Sequence, residues 1–293
     1  MKTIFPKLEK IRVNSLFYKL SAVFMAFFII PVLISSVVLH NYSTRVVENE
    51  VNNANHSLLK HACELTDIKL MEIRRIIFDL SEKSYFKKLS DPVFSQLEAI
   101  QMQSMTIDHL RNIKNTNDFI DGVFVYYIAN DYFFSNNGKL DISTYFTMKC
   151  KYEGISEAQW KEIFSQNHSF GILNTERVLS YGIDKKVENS QNLITILATL
   201  PFLEKPKAII GIQVNENRIK EILTNIGLTK NGSVYVINSE GKMISHSKGF
   251  NNLLTEAAID TDILIGKGMG SYISDKNGKS MNSFITSSFS GWT

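Results

Sequence analysis

The apolar residues of this chain open in one block. Leu20–Leu39 reads LSAVFMAFFIIPVLISSVVL and contains no charged residue. At ~1.5 Å per helical residue, such a run covers the ~30 Å hydrocarbon core of a bilayer. Pro31 and the serines within it are tolerated in membrane helices, where hydroxyls can return to the backbone. A helical pattern follows. Val47, Val51, Ala54, Leu58, His61, Leu65 and Ile68 recur at alternating spacings of four and three, and neither Pro nor Gly interrupts residues 42–89. The expectation is one long helix with a coiled-coil-like seam. The seam would meet the same helix of a second subunit, or the domain's own sheet and second helix.

Ser90-Asp91-Pro92 supplies a cap followed by proline at a first helical position. It predicts a helix to about Asn115 with Val93, Leu97, Ile100, Ile107, Leu110 and Ile113 on its apolar side. From Ile120 the pattern turns to β-branched and aromatic residues. Ile120–Ile128 reads as a strand, Asn130-Asp131 turns the chain into Tyr132–Ser135, and Asn136-Asn137-Gly138 turns it again. Ser156-x-x-Gln159 is a capping-box pattern that opens a short helix holding Trp160, Ile163 and Phe164. Leu193–Leu200 and Lys207–Val214 read as strands joined through Glu204-Lys205-Pro206, and a helix from about Glu216 closes at Gly227. A second unit begins at Gly232, with a hairpin of Val234–Ile237 and Lys242–Ile244 about Asn238-Ser239-Glu240-Gly241. Strands at Gly270–Ile273 and Ser280–Ser288 follow, about the turn 275–278. This unit echoes the hairpin at Val123–Phe134, so the pattern predicts two similar small modules in tandem.

Charge adds direction to the apolar block. Lys2, Lys7, Lys10, Arg12 and Lys19 stand against the single acid Glu9 before it, so the stub carries +4 where the whole chain carries +3. Positive charge before a membrane helix places that end in the cytoplasm. The stub exceeds the length of a signal-peptide basic region, the apolar run exceeds a signal core, and no small-residue cleavage site follows, which predicts an uncleaved anchor. After residue 19 no clustered basic face is visible, which argues against contact with nucleic acid.

Catalytic constellations are absent from the sequence: no phosphate-loop glycine pattern followed by Lys and Ser or Thr, no paired-histidine zinc motif and no nucleophile elbow. The six histidines are scattered, and Cys63 and Cys150 fit no metal-ligand spacing. The reading is a binding module with no catalytic residues, no metal and no cofactor. Its candidate ligand-binding residues are Tyr126, Tyr132, Trp160, Arg177, Tyr181 and Asp184. The aromatics could stack on a ligand while Arg and Asp fix its polar groups, although aromatics in a small module also fill its core. Cys63 and Cys150 are open to pairing outside the cell or to standing as separate small buried residues.

The layout resembles the double Cache (dCache) sensor region. The matching stretches are the long helix 42–89, the hairpin Val123–Phe134, Trp160 in its short helix, LITILATLP followed by AIIGIQV, VYVINSEGKMISHS, and Ser290-Gly291-Trp292. The resemblance implies an α+β fold: a transmembrane helix continuing into a long helix, then two tandem PAS-like (Cache) modules with antiparallel sheets, the second incomplete. Expected bounds are 1–19 cytoplasmic stub, 20–40 transmembrane helix, 41–90 long helix, 91–228 membrane-distal module and 229–293 membrane-proximal module. NSLFYKL, the apolar helix and NANHSLLKHACELTDIKLMEIRRIIFDLS look most like membrane-bound AraC-type transcription regulators of low-GC Gram-positive bacteria. Similar sensors front histidine kinases and chemoreceptors. In that family Gly-Trp is followed by a last strand, a second membrane helix and an output domain, and an acid usually stands where this chain has Gln213. The family's ordered Tyr, Arg, Trp and Asp set for amino-acid recognition is not matched. The expected function is therefore extracytoplasmic sensing of a small molecule (a sugar, amino acid or organic acid) by a membrane-anchored homodimer, with AraC-type output or, alternatively, histidine-kinase or chemoreceptor output.

Overall fold

The computed structural model describes residues 16–89, 95–129, 131–182, 184–200, 206–226, 232–247, 268–274 and 280–293. The chain divides into two units, Met1–Ala54 and Asn55–Thr293. The described part of the first unit belongs to helix α1, Leu16–Glu82, which contains Pro31. The large apolar side chains between Leu20 and Leu39 are exposed. An 18-residue window here reaches a mean hydropathy of 2.7, so the helix is long and apolar enough to cross a membrane.

Within the second unit, α1 buries Ala62, Thr66, Leu70, Ile73, Ile77 and Leu80, one helical face at spacings of four and three. Thr66 is accommodated because its hydroxyl donates back to the Ala62 carbonyl at 2.8 Å. This is not the expected seam: Leu65 and Ile68 remain 38% and 47% exposed. The chain's own core takes the neighbouring stripe instead. The helix also breaks earlier than expected. Lys83 is extended, with ψ 128°, and a separate short helix α2 spans Ser84–Lys88. At about 100° per residue, an unbroken helix would point Phe86 and Leu89 away from the Ala62–Leu80 stripe. The break lets both side chains enter the core, where they are 1% and 0% exposed.

Helix α3, Gln96–Thr116, starts at Ser95, whose hydroxyl accepts from the Glu98 N–H in a full capping box with the Glu98 side chain. The start expected at Ser90-Asp91-Pro92 and the apolar Val93 lie outside the described residues. Leu97 and Ile100, expected on the apolar side, are exposed, and the buried run begins at Met102 and continues through Thr106 and Leu110.

An antiparallel eight-stranded sheet follows: β1 Ile120–Tyr127, β2 Tyr132–Ser135, β3 Gly138–Leu140, β4 Lys151–Tyr152, β5 Gly171–Ile172, β6 Glu176–Tyr181, β7 Val187–Leu200 and β8 Ala208–Asn215. Its order is β3-β2-β1-β8-β7-β6-β4, with β5 paired to β7. Between the strands lie α4 (Ile142–Thr144), a π-helical turn (Tyr145–Lys149), α5 (Glu157–Ser165) and, after β8, α6 (Glu216–Thr224). The capping box expected at Ser156 and Gln159 opens α5.

Both faces of the sheet are covered, which is why β8 reads as an almost unbroken apolar run. One face carries Val123, Val125, Ile196, Ile210, Ile212 and Val214 against α1, α2, α3 and α6. The other carries Phe124, Phe133, Leu193, Leu197 and Ile209 against Tyr145, Phe146, Tyr152, Trp160 and Phe164. Phe124 lies opposite Gly211 on β8, and a Cβ there would sit 2.0 Å from the ring. Only glycine leaves room for the aromatic layer at that point.

The second hairpin forms as expected from β9 (Tyr235–Ile237) and β10 (Met243–His246), and β11 (Met269–Ser274) pairs with β12 (Ser280–Ile285). These are two-stranded sheets among the described residues, much smaller than the first sheet. Polar contacts tie this part to the larger sheet region: Ser245 Oγ to Glu216 Oε1 at 2.5 Å, Thr175 Oγ1 to the Ile244 carbonyl at 2.6 Å, and Asn238 to Asn174 at 2.7 Å. Ser287 Oγ donates to Asp67 of α1 at 2.6 Å, and Trp292 is buried in the main core. Cys63 and Cys150 are both free thiols, Cys63 half-buried on α1 and Cys150 buried.

Candidate functional site

The aromatic face of the sheet ends in a polar cavity of about 340 Å³ at the β1, β6 and β8 side. Its floor is built around Gln213. This side chain is 2% exposed, because β8 alternates and places Ile209, Gly211 and Gln213 on the aromatic face. The Gln213 amide nitrogen donates to the Tyr152 hydroxyl at 2.7 Å and to Cys150 Sγ at 3.0 Å, while its oxygen accepts from the Tyr145 hydroxyl at 3.0 Å. The Tyr152 hydroxyl also meets Thr195 Oγ1 at 2.7 Å. A buried amide needs such partners, since each unsatisfied polar atom would cost ~1–3 kcal/mol. Burial pushes the Tyr145 and Tyr152 phenols well above 10 and the Cys150 thiol up to about 11. The floor is thus uncharged at neutral pH.

Two β-bulges shape the walls. Ile120 pairs with Val214 and Gly122 with Gln213, so Asp121 is an extra residue in β1. Ser180 pairs with Asn189 and Tyr181 with Val187, so Glu188 is an extra residue in β7. Both extra residues are acids, and both line the cavity. A bulge re-aims side chains that strict alternation would send elsewhere, and bulges concentrate beside functional sites. The Asp121 carboxylate accepts from the Gln191 amide, which also lines the cavity. Asn136, buried at 7% exposure, accepts the Val123 N–H through its Oδ1 at 3.0 Å and closes another side. Exposed Lys114 and Lys149 stand at the mouth. A Cβ at Gly122 would sit 2.2 Å from Gln213 Oε1 and would push that side chain off its partners.

Of the six residues singled out from the sequence, Tyr181 lines this cavity, beside Ser180 and Val178. The others lie elsewhere. Trp160 is fully buried and stacks on Phe146 with centroids 4.3 Å apart. Tyr126 packs on Phe164 and donates to Asp131 at 3.0 Å. Tyr132 lies under the Lys139 ammonium at 3.9 Å. Arg177 precedes Val178 on β6 and points away, donating to Ser190 Oγ at 3.0 Å. Asp184 is exposed and accepts from the Lys186 N–H at 3.1 Å. Sequence reasoning missed Asp121, Glu188, Gln191 and Asn136. Only Gln213 carried a signal, as the amide standing where the resembling family has an acid.

A larger hollow of about 550 Å³ runs along α1 between the end of α3 and α6. Four of its charged side chains pair with one another, Lys69 with Glu72 at 3.0 Å and Arg218 with Glu221 at 3.4 Å, at least partly exposed to solvent. The smaller cavity is the better candidate, because buried polar groups, Gln213, Tyr145 and Asn136, converge on it. Among the described residues no group of His, Cys, Asp and Glu is arranged to hold a metal.

No protein-family model and no curated relative matches the chain. Solved structures do. The ligand-binding domain of the Pseudomonas fluorescens chemoreceptor CtaA, in complex with L-isoleucine, matches with a TM-score of 0.54 at 11% identity, over 85% of this chain and 92% of that one. The periplasmic sensory domain of the Campylobacter jejuni chemoreceptor Tlp1 matches with 0.52 at 12% identity, over 84% and 94%. The extracellular domain of a candidate histidine kinase, vpHK1S-Z8, matches with 0.50 at 11% identity, over 84% and 89%. Identities this low speak for fold alone, and the fold is the mixed α+β, PAS/Cache-like one of extracytoplasmic sensory domains.

Proposed function

We propose that this chain is the ligand-sensing region of a membrane-anchored signal-transduction protein and is not an enzyme. The observation that carries this reading is the polar cavity walled by two bulged acids, on a fold shared with sensory ligand-binding domains. The anchor is the apolar part of α1, with the basic stub inside the cell and the sheet region outside. A small molecule in the cavity would favour one arrangement of the protein by its differential affinity for two states. The exposed apolar stripe through Leu65 and Ile68 is available to a second copy, consistent with a homodimer.

Chemoreceptors and a candidate histidine kinase share the fold, which favours an output of that kind. An AraC-type transcriptional output is the second reading, favoured by the resemblance of the first helix and its flanks. The aliphatic ligand of the chemoreceptor CtaA does not suit this cavity, whose walls offer Val178 as their aliphatic side chain.

The test is a thermal-shift screen of metabolites against the full chain in detergent, with Ser180→Trp as the control that fills the cavity. The sensor reading predicts a compound that stabilises the wild type and not the variant. Compounds that stabilise both equally would remove the cavity from the function. Reading the open frame downstream of Thr293 separates the two outputs.

A further inference from the structure

The cavity's chemistry narrows the ligand class, and this inference rests on the sensor reading above. Its floor is the Gln213 amide with the Tyr145 and Tyr152 hydroxyls, all neutral. An ionic group of a ligand placed against that floor would lose its hydration without gaining a countercharge. An aliphatic group would desolvate the partly exposed Asp121 and Gln191 side chains on the walls without hydrogen-bonding to them. Two acids, Asp121 and Glu188, and two lysines at the mouth balance in sign, so the cavity as a whole selects no net charge.

What the lining does supply is a high density of planar groups that donate and accept. Carboxylates and carboxamides present paired atoms in one plane, matching the spacing of vicinal hydroxyls. The bulge at Asp121 and its link to Gln191 fix such a pair on one wall. Tyr181 adds a half-exposed ring at the rim, where the C–H face of a sugar ring could rest. At about 340 Å³ the cavity lies at the small end of the ~300–1,000 Å³ range of small-molecule sites, which suits one ring and not a chain of them.

We propose that the cavity takes a small uncharged polyhydroxy compound, a monosaccharide or sugar alcohol, held by Asp121 and Gln191. The experiment is differential scanning fluorimetry and calorimetric titration of the full chain in detergent. The probes are neutral pentoses, hexoses, N-acetylhexosamines and hexitols, run beside L-isoleucine, L-serine, L-glutamate and succinate. A neutral polyol should raise Tm saturably by about 5 °C or more at high excess. Asp121→Ala and Gln191→Ala should abolish that shift while holding the ligand-free Tm within about 2 °C, as both sites are only partly buried. Stabilisation by an amino acid or by succinate without any polyol would overturn the ligand class and leave the sensor reading standing. No shift with any polyol would likewise overturn the class, and the broader metabolite screen would then decide the sensor reading on its own. A polyol shift that survives both substitutions would overturn the assignment to this cavity.

Discussion

Gly211→Ala tests the packing on which the site rests. Judged from backbone freedom alone, replacing a strand glycine by alanine stabilises a protein by about 0.4–1 kcal/mol, by restricting the unfolded chain. The structure predicts the opposite sign. A Cβ at 211 would stand 2.0 Å from Phe124 Cζ and 2.4 Å from both Cε atoms. The ring has nowhere to retreat: Phe133, Tyr145, Phe146 and Phe164 surround it at centroid distances of 5.2, 5.8, 5.9 and 6.1 Å. Overpacking of this kind costs about 1–3 kcal/mol, and at 2–4 °C per kcal/mol for a unit of this size Tm should fall by roughly 2–12 °C. Phe124→Leu removes the clashing atoms and leaves a void of its own. The double variant should therefore be more stable than the sum of the two single effects by at least about 1 kcal/mol. Thermal unfolding of the full chain in detergent, followed by circular dichroism, measures all three. A Gly211→Ala protein as stable as the wild type, or strict additivity in the double variant, would show that Phe124 does not lie over Gly211.

Alkaline pH should unfold the sheet region early. Tyr127, Tyr145 and Tyr152 have phenols raised well above 10 by burial, so their contribution is complete below pH 10 and is lost as pH rises above it, when only the unfolded state ionises. Each adds a slope of about 1.4 kcal/mol per pH unit, and Tyr152→Phe should remove one such share; an unchanged slope in urea titrations between pH 9 and 11 contradicts the burial. Trp160→Ala should cost about 3–5 kcal/mol as a core deletion. Arg177→Ala and Asp184→Ala, at exposed positions, should leave stability and any ligand-induced Tm shift unaltered, and a selective loss of that shift would return them to the site. Reporter fusions should be active outside the cell after Thr293 and inside before Leu20, and the reverse pattern sinks the proposed topology. In a Cys63→Ser background, cysteines at Val47 or Val51 should cross-link between subunits in membranes, and only monomer on non-reducing gels counts against the dimer.

Much of the fold follows from local pattern. The apolar block Leu20–Leu39, the strands Ile120–Tyr127 and Tyr132–Ser135, the capping box at Ser156 and the hairpin of β9 and β10 were all legible, because periodicity and cap chemistry act over a few neighbouring residues. Short elements without a strong period were not: β4, β5 and the π-helical turn exist only because partner strands and the aromatic layer hold them. The end of α1 departs from the local pattern for the same reason. Nothing at Lys83 breaks a helix locally, and the break is set by where Phe86 and Leu89 must point to reach the core.

The candidate site lies further still from what a linear pattern can show. Tyr126, Trp160 and Arg177 carry the right chemistry, but β-strand alternation and packing send them into the core or out to solvent. The cavity's own acids owe their positions to register. Asp121 and Glu188 are extra residues in β1 and β7, and an extra residue is defined only by the partner strand that skips it. The sequence by itself determined the long, strongly periodic helices and strands and which of them suits a membrane, since those depend on neighbours in the chain. Tertiary structure alone decided which polar side chains converge, because that depends on a pairing between β1 and β8 whose partners, Gly122 and Gln213, stand far apart in the chain and face to face in the sheet.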